Sequence, residues 1–275
     1  MLRKRDLPAR GPFSNVRAMV RTQLDEDGRL LWIVLDQPKG NVLDRRLMFE
    51  VQAALDQHRD DRRLKLVVLR GTGGEFSFGA SVDEHRPDEA PALLRTLHGL
   101  ARRLASHPVP VAALVQGRCL GGALELVLCC HFVFAANDAR FACPEIKLGV
   151  YPPLFAVAGV LRLGGPLAER LMLTAEEIGA IAAQRAGLVA AVLPEGLDPE
   201  EALREWYRMR LEPLSAFAIR EATRAVRAHS PLHAALGTPL DDSERAYLER
   251  VLPSHDGNEG IDAFLARRSP RWRDE

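Results

Sequence analysis

A chain of 275 residues with 37 basic and 37 acidic side chains carries no net formal charge. That balance argues against the strongly basic surface that binds nucleic acid or an anionic membrane. No stretch approaches the ~20 continuous apolar residues needed to span a bilayer. The length suits one sizeable core plus a small appendage.

Taken in order, residues 1–20 predict a loose leader, charged and without an apolar stretch of signal-peptide type. Leu30 to Asp36 (LLWIVLD) reads as a first strand. Gln37 to Asn41 (QPKGN) is turn chemistry. Leu43 to Arg59 carries apolar residues at Leu47, Met48, Val51, Ala54 and Leu55, the spacing of an amphipathic helix, with Asp44 as its cap. Leu64 to Arg70 is a second buried strand. Gly71-Thr72-Gly73-Gly74 lacks the Gly-Lys-Ser/Thr of a phosphate loop, so it reads as a loop into Phe76–Ser81. Asp83 to Pro91 is polar and predicts a mobile segment, with His85 either a solvated loop histidine, the favoured reading, or an acid or base. Ala92 to His107 is helical on its leucine stripe. His98 and His107 beside that stripe read as structural, and no His/Asp/Glu set has metal-ligand spacing.

The central stretch, Gln116 to Glu145, carries the chemistry. A buried strand, Val109 to Val115, leads through Gly117 to Gly121-Gly122 and an apolar helical segment, Ala123 to Cys130. A strand-to-helix turn at two glycines presents unpaired N–H groups at the positive end of a helix dipole. Glycine lets another molecule approach that backbone closely. Such a turn can stabilise an oxyanion. Glu125 lies in the first helical turn, and Glu145 follows Cys143-Pro144. Two carboxylates at one oxyanion site suit addition of water to a polarised double bond, one activating the water and one delivering a proton. Spacing alone leaves open that both are ordinary solvated charges. The four cysteines, Cys119, Cys129, Cys130 and Cys143, have no CxxC spacing. They predict small buried hydrophobes in a reduced, cytoplasmic protein.

Beyond it, Ala139 to Phe141 reads as a short strand, and Leu154 to Leu163 and Leu167 to Leu173 as helices. Thr174 reads as the cap of a further helix, and Val192 to Pro194 as a last strand. The alternation of strand and helix from residue 30 to 194 says α/β. From Pro199 the pattern is almost entirely helical.

Four pieces together resemble the crotonase, or enoyl-CoA hydratase/isomerase, superfamily: FSFGASVDE (76–84), QGRCLGGALEL (116–126), ARFACPEIKLGVYP (139–152) and EGIDAFLARRSPRW (259–272). The resemblance implies a ββα spiral over residues 21–198 and a C-terminal helical oligomerisation region over 199–275, in a homotrimer or homohexamer. It implies a split oxyanion hole of the Ala80 and Gly122 N–H groups gripping an acyl-CoA thioester. Glu125 and Glu145 match the two glutamates of the hydratases, with Glu145 expected as proton donor and Glu125 as base for water. Phe78, Ser81, Val82, Tyr151 and Pro153 are the expected substrate contacts. Arg267, Arg268 and Arg271 are either CoA phosphate contacts or surface charges. No cofactor is expected beyond the coenzyme A of the substrate, and no metal, nucleic acid or membrane partner.

FSFGASVDEH with PEIKLGVYPP most resembles the cyclohexa-1,5-diene-1-carbonyl-CoA hydratases within that superfamily. Three departures stand out. Ser81 and His131 replace aspartates common in hydratases, and Pro153 falls where ordinary members offer a backbone N–H to the water. Proline has none. A wall of Tyr151, Leu154 and Phe155 would suit a flat ring and a displaced water.

Overall fold

The computed structural model describes residues 17–275; most of the expected leader lies outside them. The chain is already tied down at Met19 and Val20, whose N–H groups donate to Glu50 Oε2 at 2.7 and 3.1 Å. Val20 opens β1 (Val20–Asp25), one strand before the expected first. Its residues are mostly exposed, which is why no apolar run announces it.

Six strands form the main sheet, in the order β1, β2 (Leu30–Leu35), β3 (Leu66–Gly71), β4 (Val111–Val115), β6 (Phe132–Ala135) and β9 (Ala191–Val192). β1 pairs antiparallel with β2, and every other pairing is parallel. Parallel strands need both faces covered. In β2, Leu31, Ile33 and Leu35 face the larger core, while Leu30, Trp32 and Val34 face a second one. The period of two divides one apolar run between two layers. The first layer is filled by α1 (Arg45–His58) and α2 (Ala90–Ala105). Asp44 caps α1 as expected, accepting from Leu47 N at 2.7 Å. The second layer takes Leu203 and Tyr207 of α7 (Pro199–Arg210) and Ile219 of α8 (Ala216–Ala228).

A smaller sheet holds β5 (Arg118–Leu120), β7 (Arg140–Ala142) and β8 (Glu177–Gly179), in the order β5-β7-β8. Between β5 and β6 runs α3 (Gly122–Leu128). The arrangement is mixed α/β, as expected. Two expectations change here. Glu177–Gly179 is a strand, and Thr174 ends α5 (Gly165–Thr174) instead of capping a new helix. Asp83 to Pro91, expected to be mobile, folds as a 3-10 turn (Asp83–His85) running into α2. Glu84 pins that turn by accepting from Arg45 N at 2.9 Å.

After β7 come a 3-10 turn (Pro144–Leu148), α4 (Pro153–Leu163) and α6 (Ala180–Arg185). The C-terminal region is helical, as expected. Its later part is α9 (Pro231–Ala235), α10 (Thr238–Ala246), a π-helical turn (Tyr247–Val251) and α11 (His255–Leu265). This part turns back over the spiral. Gly260 of α11 lies so close to the Leu148 carbonyl that a Cβ there would collide with it.

Candidate active site

Asn41, fully buried, sets the loop that carries Ala80. Its Nδ2 donates to the carbonyls of Thr72, Glu75 and Phe76 at 3.1, 3.1 and 3.2 Å. Its own carbonyl accepts from Ser77 Oγ at 2.7 Å. Leu43 then bridges Ala80: Leu43 N donates to Gly79 O at 2.8 Å and Ser81 N donates to Leu43 O at 3.1 Å. In such a parallel bridge the middle residue's own N–H points away from its partner. The Ala80 N–H therefore faces away from Leu43, and Ala80 lies beside Gly122. A Cβ built on Gly122 would lie 3.2 Å from Ala80 N. Gly122 is the first residue of α3, so its N–H has no intrahelical acceptor. The two expected donors are thus brought together, and among the described residues neither is used by the protein.

Gly121 explains why two glycines are needed. It sits at φ +50°, in the region that favours glycine, and a Cβ there would collide with Glu145 Oε1. The carboxyl group of Glu145 thus lies directly against the turn. Its Oε2 is buried and has no partner among the described residues. Burial, and then the charge of Glu125, push its pKa up to about 8.

Glu125, 2% exposed, has a different setting. Its Oε1 accepts from Phe155 N at 2.8 Å, so it serves as a cap for α4. Burial raises its pKa, opposed by the nearby His98 and the Phe155 and Leu154 N–H groups. His98, fully buried on α2, places its Nδ1 2.5 Å from Glu244 Oε2 of α10.

A cavity of about 540 Å³ opens beside these groups. Phe78, Ala80, Val82, Gly121 and Glu145 line it, with Ala263 and Phe264 of α11 opposite. Arg118, Lys147 and Arg268 bring positive charge to its walls. Arg118 lies 4.2 Å above the Phe78 ring and pairs with Glu75 at 2.7 Å. Arg268 is held by both oxygens of Glu259. Arg267 and Arg271 do not line the cavity.

The remaining expected contacts stand behind this wall. Ser81 offers its carbonyl to His85 Nδ1 at 2.7 Å, and His85, partly buried, lines the cavity instead of being solvated. Burial lowers its pKa. Tyr151 donates to Ser243 O at 2.9 Å. Pro153 begins α4 and accepts from Ser243 Oγ at 3.0 Å. Leu154 and Phe155 are fully buried in the main core, not in the cavity wall. The two ring nitrogens of His131 lie 3.0 Å from Val111 N and from Arg227 Nε, and the neutral ring can accept from only one of them. All four cysteines are buried, and burial raises every thiol pKa, Cys130 to about 12. Among the described residues no group of three or more potential metal ligands occurs, and no helix is long and apolar enough to cross a membrane.

Sequence reasoning missed Tyr247 and Glu244 as parts of this region. They lie more than a hundred residues beyond the glycine turn, and no local spacing connects them to it.

The family profile described as Enoyl-CoA hydratase/isomerase matches residues 25–275. The chain is 39% identical to the cyclohexa-1,5-dienecarbonyl-CoA hydratase of Thauera aromatica, across 94% of this chain and 99% of that one. It is 33% identical to the 2,3-dehydroadipyl-CoA hydratase of Escherichia coli strain K12, across 89% and 95%. The crystal structure of an enoyl-CoA hydratase from Mycobacterium avium subsp. paratuberculosis K-10 superposes with a TM-score of 0.80 at 28% identity, covering 94% of this chain and 99% of that one. With the profile matched over nearly its whole length, the chain belongs to the enoyl-CoA hydratase/isomerase family.

Proposed function

We propose that this enzyme adds water to an unsaturated CoA thioester, with cyclohexa-1,5-diene-1-carbonyl-CoA as substrate and 6-hydroxycyclohex-1-ene-1-carbonyl-CoA as product. The observation that carries the hydratase reading is the pair of carboxyl groups, Glu125 and Glu145, beside two unused N–H groups. The ring substrate rests on the similarity to the Thauera aromatica enzyme.

The thioester oxygen accepts from Ala80 and Gly122 N–H. These donors bind most strongly when negative charge reaches that oxygen in the transition state. Water oxygen bonds to the ring carbon β to the carbonyl. Charge spreads through the carbonyl and the second double bond, and a proton arrives at the far end of that bond. Glu145, with its pKa near 8, holds a proton at neutral pH and is the donor. Glu125 takes the water's proton. Burial raises its pKa, which suits a base, while His98 and the Phe155 N–H oppose that shift and support its charged form. After each turnover Glu125 holds the proton taken from water and Glu145 has lost its own, so one proton passes from Glu125 to Glu145, directly or through solvent, to return the coupled pair to its starting state. Arg118, Lys147 and Arg268 supply charge for the CoA phosphates.

Exposed apolar side chains, including Phe217 and Val226 of α8, give the helical region a contact face for further copies in a trimer or hexamer.

The test is to incubate the purified protein separately with cyclohexa-1,5-diene-1-carbonyl-CoA and crotonyl-CoA and seek a product heavier by one water. Turnover of the ring alone supports the full proposal. Turnover of crotonyl-CoA alone keeps the hydratase and rejects the ring. No turnover of either rejects both.

A further inference from the structure

Three buried polar side-chain atoms in this region have no protein partner among the described residues: His98 Nε2, Glu145 Oε2 and Tyr247 Oη. Buried hydroxyls are nearly always hydrogen-bonded, and one that is not costs stability. Tyr247 is 1% exposed, so solvent does not reach it freely. Phenylalanine would fill the same space without that cost. Tyr207 Oη is unpartnered too, but in the second core; the Tyr247 hydroxyl differs in packing with residues that line the cavity, where a partner can arrive from outside the chain.

The helix around it is anchored to the site at three points. Ser243 donates to Pro153 O at 3.0 Å and accepts from Tyr151 Oη at 2.9 Å. Glu244 meets His98 at 2.5 Å. Tyr247 follows one turn after Ser243, on the same face. Its ring meets Tyr151 edge-on, with centroids 5.6 Å apart. It packs in the same cluster as Val82, Leu148 and Val150, which line the cavity. It also opens the π-helical turn, a distortion frequent at functional sites.

There is also a donor to replace. Pro153 has no N–H, and the next helical N–H groups, those of Leu154 and Phe155, are directed at Glu125. Water placed between the carboxyls needs another group to orient it.

We propose that the Tyr247 hydroxyl is that group, hydrogen-bonded to the reacting water and to the hydroxyl it becomes in the product. This rests on the hydratase reading above. Burial, and then the charges of Glu145 and Glu125, raise the phenol's pKa, so it stays protonated and able to donate.

The experiment compares wild type with Tyr247→Phe on whichever thioester the wild type hydrates. Melting temperature and affinity for the saturated thioester cyclohexanecarboxyl-CoA are measured alongside. The expected result is a kcat lower by about 10²-fold, as for loss of one oriented donor, with KM within about twofold by the same argument that the donor acts on water and not on the thioester. The melting temperature should be unchanged or higher, because an unpartnered hydroxyl has been removed. Unchanged kcat would overturn the proposal while leaving the hydratase reading intact. A fall in kcat that comes with a lower melting temperature and weaker thioester binding would make Tyr247 a packing residue and overturn it equally. A wild type inactive on both thioesters would overturn both readings together.

Discussion

Phe155 N donates to Glu125 Oε1 at 2.8 Å, so the carboxylate proposed as the base for water also closes the start of α4. On that proposal one group serves both a helix and a reaction, and two substitutions separate these duties. Glu125→Gln keeps an oxygen for the Phe155 N–H but removes the base. It should fold normally and lose about 10²–10⁴ in kcat. Glu125→Ala should lose that activity and also about 1–2 kcal/mol of stability, the usual cost of an N-terminal cap. Urea unfolding beside steady-state kinetics measures both.

Glu145→Gln should lose a similar factor in kcat while keeping affinity for a saturated CoA ester, because the carboxyl acts on the proton and not on the thioester. Full turnover in this variant would remove Glu145 from the mechanism.

The raised pKa of Glu145 also has a stability signature. Unfolded, this carboxyl loses its proton near its ordinary value of 4.5; folded, it keeps it to about 8. Between those values the native state binds the extra proton, so its stability contribution falls as pH rises. It is fully present below about pH 4.5 and gone above about pH 8. Melting temperature followed across that window should decline less in Glu145→Gln than in wild type. kcat of the wild type should also fall as pH passes about 8, where the acid loses its proton. Identical melting profiles for the two proteins would show that Glu145 is ionised in the native state.

Gly121→Ala places a methyl group against the Glu145 carboxyl and forces a side chain into φ +50°. Backbone strain of that kind costs about 1–3 kcal/mol. The variant should melt lower and lose activity through displacement of Glu145. Wild-type kinetics in it would separate the glycine from the site.

Lys147 is exposed at the cavity. Lys147→Ala should raise KM for the CoA ester about fivefold at low salt, matching the ~1 kcal/mol of an exposed charge pair. kcat should not change, and the difference should shrink as salt screens the charge. A salt-independent KM would take Lys147 out of phosphate binding.

Much of this arrangement was legible in the residues themselves. The apolar runs at Leu30–Leu35 and Val111–Val115 announce doubly covered strands, because burial on both faces erases alternation. Asp44 announces α1, because a cap bond is local. Gly121-Gly122 announces a turn with free N–H groups, because only glycine allows that backbone. β1 stayed hidden because its pairing with β2, not its own apolarity, makes it a strand. The run after Thr174 misled for the same reason: Glu177–Gly179 is extended because β7 offers it an edge.

What tertiary structure alone decided is how distant groups meet. Leu43 turns the Ala80 N–H away from itself, with Ala80 beside Gly122, and no spacing between residues 43, 80 and 122 encodes that bridge. Burial of Glu145 against Gly121 and Glu125 shifts its proton affinity, and burial belongs to the folded chain, not to the residue. Tyr247 reaches this region only because α10 packs across α4 and α2. A sequence states which side chains exist and which local bonds they favour. Desolvation and convergence arise from contacts between segments far apart along the chain, and in this protein they set the chemistry of both glutamates.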